Sequence, residues 1–116
     1  MALTLHWLPR AMTDYESIKR KAVAAQSGRE VKGKTWSSKP EGLFKQVNKA
    51  LRLLRENPKH PGLNTHEFDS IDHPYHKDQK VFVSYIQNNT SGAYRHFWCY
   101  GPDGGEATII AITPHP

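Results

Sequence analysis

Apolar and polar positions alternate most clearly in the last third of the chain. Residues 80–88 (KVFVSYIQN), 93–100 (AYRHFWCY) and 107–113 (ATIIAIT) predict three strands in succession, joined by the turn segments 89–92 (NTSG) and 101–106 (GPDGGE). Near the start, Leu3, Leu5 and Trp7 alternate with Thr4 and His6, which predicts a short half-buried strand ended by Pro9. Between these regions the period changes. The capping-box pattern Thr13-Asp14-Tyr15-Glu16 predicts a helix from Asp14, with Tyr15, Ile18, Ala22 and Ala25 on one face and a stop at Gly28. A second box, Ser38-Lys39-Pro40-Glu41, opens a helix whose stripe is Leu43, Phe44, Val47, Ala50, Leu51 and Leu54. That helix should end by Glu56, because Asn57 precedes Pro58. Residues 28–37 read as a basic connector, 63–68 as a candidate edge strand and 69–79 as a polar loop.

The predicted order is β-α-α-β-β-β-β. Strands joined by short turns pair antiparallel, and two amphipathic helices covering one sheet face make a two-layer α+β domain. The pattern leaves open whether the first strand joins an edge or pairs centrally. The 116 residues fit one domain, 1–116. No run approaches the ~18 apolar residues of a membrane span, and residues 1–8 are too short and weakly apolar for a signal peptide. Cys99 is the sole cysteine, which excludes an intramolecular disulfide and fits a soluble protein of the reducing cytoplasm.

Charge changes the picture through its distribution. Residues 10–59 hold 13 of the 16 Lys and Arg but 5 of the 11 Asp and Glu. That half carries the footprint of a polyanion-binding surface, with Lys45, Lys49, Arg52 and Arg55 off the apolar stripe of the second helix and Arg29, Lys32 and Lys34 in the connector. The structural alternative is that these are the solvated faces of two helices. Alternation places Arg95, Phe97 and Cys99 on one strand face and Tyr94, His96, Trp98 and Tyr100 on the other, so Arg95 and His96 cannot share a cleft. His66, His73 and His76 raise the question of zinc, but no cysteine accompanies them and Pro74 works against a helix that would align the pair. A solvated histidine-rich loop is the better reading, and no metal or cofactor is assigned.

Several features then converge on a known family: the helix end ALRLLRENP, Leu63 after the following turn, the segment Ala93-Tyr94-Arg95-His96-Phe97-Trp98, the apolar strand 107–112 and the exit histidine His115. From Ala50 to His115 the chain resembles the RelE/ParE superfamily of bacterial toxins. RelE-like members are ribonucleases that cleave mRNA on the ribosome. The resemblance implies that Arg95 binds the scissile phosphate and that His115 is a general acid or phosphate-binding group. A guanidinium suits a phosphate gaining charge in the transition state, and imidazole suits proton transfer near neutrality. Lys80 and Tyr85 are candidates by position for the general base or for RNA contact. The structural alternative for Arg95 is a pair with Glu67 or Asp69, and for His115 a frayed terminus. The implied activity is metal-independent cleavage of RNA by its own 2′-hydroxyl, with RNA or the ribosome and an acidic antitoxin as partners. The alternatives are a ParE-like gyrase poison and a non-catalytic RNA- or partner-binding module.

Overall fold

The computed structural model describes residues 2–33, 38–87 and 92–114. Among them the chain forms β1 (Thr4–Trp7), α1 (Pro9–Val31), α2 (Lys39–Glu56), a 3-10 turn at Pro61–Leu63, β2 (His66–Phe68), β3 (Val81–Tyr85), β4 (Tyr94–Tyr100) and β5 (Glu106–Pro114). The five strands make one mixed sheet in the order β1-β5-β4-β3-β2. β1 joins the edge and runs parallel to β5, and the remaining pairs are antiparallel. Both helices lie on one face, the expected two-layer α+β arrangement.

α2 forms where its capping box predicts. The Ser38 hydroxyl accepts from the Glu41 backbone N–H, the Glu41 carboxylate accepts from the Ser38 N–H, and the helix closes at Glu56. Its stripe is driven into the sheet: Val47 and Leu54 are fully buried, with Ala50 and Leu51 beside them.

α1 departs from expectation at both ends. Pro9 does not merely end the strand; it is the first residue of the helix, where a missing N–H is no loss. Thr13 and Asp14 therefore sit inside the first turns, and Asp14 has another task. β5 outruns the four-residue β1, and the Asp14 carboxylate accepts the Ile112 N–H (2.9 Å) that β1 does not reach. The helix also runs through Gly28 to Val31, so part of the expected connector is helical.

The sheet contains one irregularity that decides its faces. β4 and β5 shift register between Phe97 and Trp98, with Phe97 opposite Ala111 and Trp98 opposite Ile109, which leaves Ile110 as the extra residue. Ile109 and Ile112 consequently both join the helix-side core despite their odd spacing, while Ile110 packs with Val81 and Cys99. On β3 it is Phe82, not Val81 or Val83, that meets the helix side, stacked on Trp98 at 5.0 Å between centroids.

The segment 69–80 is irregular, as expected, but it is not simply solvated. Ile71, like Phe97, packs against the cluster of Val81, Cys99 and Ile110 at the helix-free face. His73 is buried: its Nδ1 accepts the backbone N–H groups of Tyr75 (3.1 Å) and His76 (3.0 Å), so Nε2 carries the proton and donates to the Tyr100 carbonyl oxygen (2.8 Å).

Candidate functional site

Arg95 and Tyr85 face each other across β3 and β4 on the helix-free side of the sheet. The Arg95 guanidinium carbon lies over the Tyr85 ring, 4.3 Å from its centroid, a cation–π contact. Arg95 is 8% exposed. It borders a concavity of about 540 Å³ whose walls include Phe68, Val83, Phe97 and Pro114 and whose rim carries Arg10. On the other side of Tyr85 stands His66, with ring centroids 5.8 Å apart. Strand alternation produces the arrangement: His66, Val83 and Phe97 are successive cross-strand partners on one face, and Tyr85 and Arg95 follow one step along.

Arg10 and His66 are the residues that sequence reasoning did not bring to this site. Arg10 lay ahead of the helix expected to start at Asp14 and was not among the candidate site residues. His66 was weighed only as a metal ligand. The helix start signal at Pro9 and the even spacing of His66 and Phe68 were the available clues.

The other candidates are dispersed. Lys80 Nζ lies 2.7 Å from Glu67 Oε1, and this carboxylate raises the lysine pKa. A lysine held protonated in this way is a poor general base, and Lys80 precedes β3 at the end away from Tyr85. Glu67 is therefore the partner of Lys80, whereas Arg95 stacks on Tyr85. His115 and Lys34 lie outside the described residues.

Arg29 is engaged within the fold. It grips Glu41 through Nε to Oε1 (3.0 Å) and Nη2 to Oε2 (2.8 Å), tying the end of α1 to the start of α2. The guanidinium, helped by the Ser38 backbone, lowers the Glu41 pKa to about 2. Lys32, Lys45, Lys49 and Arg55 are exposed, and Arg52 makes a loose i,i+4 pair with Glu56 at 3.7 Å. His96 is fully buried in the helix-side layer, as alternation required, and burial pushes its pKa down to about 4. Cys99 is buried, and its thiol is pushed up to about 11, which leaves it unreactive at neutral pH. Both ring nitrogens of His73 are engaged by protein groups, and among the described residues no cluster of three or more His, Cys, Asp or Glu side chains is arranged to hold a metal ion.

A solved YoeB/ParE toxin from Agrobacterium tumefaciens superposes with a TM-score of 0.61 over 98% of this chain and 100% of its own, at 13% identity. The chain has the RelE/ParE-like toxin fold. A chromosomal ParDE TA system from P. aeruginosa shows the same fold at a TM-score of 0.51 and 11% identity, over 99% of this chain and 98% of that one. No protein-family model and no curated protein matches the sequence. Within the toxin fold, Arg95 occupies the open sheet face opposite both helices. Among the described residues no helix is long and apolar enough to cross a membrane.

Proposed function

We propose that the protein is a toxin-like endoribonuclease of the RelE type that cleaves single-stranded mRNA on the helix-free face of its sheet. The observation that carries this reading is the Arg95–Tyr85 stack beside a concavity with a second arginine on its rim. A guanidinium held against an aromatic ring can meet the phosphate oxygens bidentately as their charge grows. The RNA 2′-hydroxyl supplies the nucleophile, so no metal is required. His66, across Tyr85 from Arg95, replaces Lys80 as the candidate general base. His115, which follows Pro114 in the sequence, is the candidate general acid for the leaving 5′ oxygen. An acidic antitoxin is the expected protein partner, with the exposed lysines and arginines of α2 as its charge complement.

The test is expression in a bacterium with mapping of new mRNA 5′ ends, in parallel with an assay of DNA supercoiling. New ends made by the wild type and lost with Arg95→Ala support the ribonuclease. Growth arrest with intact mRNA and disturbed supercoiling would replace it with the ParE-like, gyrase-binding reading.

A further inference from the structure

The concavity beside Arg95 contains more than a phosphate needs. Phosphate recognition calls for cations and N–H donors, yet these walls are aromatic and aliphatic. Phe68 and Phe97, both half-buried, meet at 4.8 Å between centroids with their planes 60° apart, and Val83 shares the lining. Two cations, Arg95 and Arg10, line it as well. Arg10 is two-thirds exposed, and its one ion-pair partner among the described residues, Asp14 Oδ2, is 3.6 Å away and already accepts the Ile112 N–H. The Arg10 guanidinium therefore keeps its donors for an incoming anion. An apolar cleft of this size with a few placed polar groups is the usual form of a small-ligand site. A purely apolar peptide would find two guanidinium groups at its edge, whereas a nucleotide matches both parts.

We propose that this cleft is a nucleobase subsite for single-stranded RNA. One unpaired base lies against Phe68 and Phe97, and Arg95 and Arg10 take the phosphates flanking it. The proposal rests on the ribonuclease reading for its substrate class and adds a base contact that the cleavage step does not itself require. Stacking on a ring face tolerates different bases, so the subsite selects unpaired strands rather than a sequence.

The experiment measures binding of the full chain to a short fluorescent oligoribonucleotide, made uncleavable by 2′-O-methyl groups, and to probes with one abasic nucleotide at each position in turn. One abasic position should weaken wild-type binding about tenfold. Phe68→Leu should weaken binding to the intact probe by a similar factor and remove the sensitivity to that position. Arg10→Gln, on an exposed side chain, should lower the slope of log affinity against log salt by about 0.7. Wild-type binding indifferent to every abasic position, or Phe68→Leu with unchanged sensitivity, would overturn the subsite. Arg95-dependent cleavage together with abasic-insensitive binding removes the subsite alone. Base-sensitive binding without cleavage keeps it and removes the ribonuclease.

Discussion

Arg95 and His96 are adjacent in sequence and opposite in fate. The first stacks on Tyr85 at the open face, and the second is sealed in the core with neither ring nitrogen hydrogen-bonded. For Arg95 the geometry matters as much as the charge. On the proposed ribonuclease reading, Arg95→Lys keeps the cation but loses the planar fork, so cleavage should fall by about 10²–10³ while the fold persists, read by mRNA-end mapping beside circular dichroism. For His96 the sign of the pH effect follows from its pKa, near 4 when folded against about 6.5 when unfolded. Below pH 6.5 the unfolded chain takes up a proton that the folded chain refuses, so stability falls as pH drops from 6.5 towards 4 and levels off beneath that. His96→Leu removes both the proton uptake and the two unsatisfied nitrogens. The variant should melt at or above the wild-type temperature at pH 7, and its advantage should widen at pH 5. Melting curves at the two pH values check this.

At the scale of elements, the start of α2 joins local and long-range order. Ser38 and Glu41 cap the helix, and Glu41 in turn receives Arg29 from α1. Ser38→Ala should cost about 0.5–2 kcal/mol, measured by denaturant unfolding. Because Arg29 and the Ser38 backbone depress the Glu41 pKa to about 2, the stabilisation from this carboxylate is full above its unfolded value near 4.5 and is lost as pH falls through about 2. Glu41→Gln should therefore narrow its stability gap to the wild type as the medium is acidified across that window, which the pH dependence of melting reports.

For the whole molecule, charge separates by region. Exposed Lys45, Lys49 and Arg55 lie on α2, while Arg95 lies on the opposite face of the sheet, beside a concavity that Arg10 of α1 also lines. The proposed RNA binding through such cations must weaken steeply with salt, because each neutralised phosphate releases counterions. Replacing Lys45 and Lys49 together by Gln should lower the slope of log affinity against log salt by up to about 1.4 if RNA also crosses α2. A slope unchanged from the wild type would confine RNA to the sheet face and leave the α2 surface to a protein partner.

The element order, the second helix with its box, and the two faces of β4 were legible in the sequence, because each depends on contacts within a few residues: a cap, a 3.6-residue stripe, an alternation of two. The place of β1, the extra residue at Ile110 and the start of α1 at Pro9 were not, because they answer to partners far along the chain. β1 could join an edge or the centre until β5 supplied its backbone pairing, and Asp14 looked like part of a cap until Ile112 gave it a different donor. The same division runs through the candidate site. Arg95 and Tyr85 stood out by residue type and strand position. Arg10 and His66 are 56 residues apart, and only the packing of α1 and β2 at the flanks of the sheet brings them towards Arg95 and Tyr85. The pairing of Lys80 is likewise one that spacing cannot carry: Glu67, 13 residues earlier, meets it from β2.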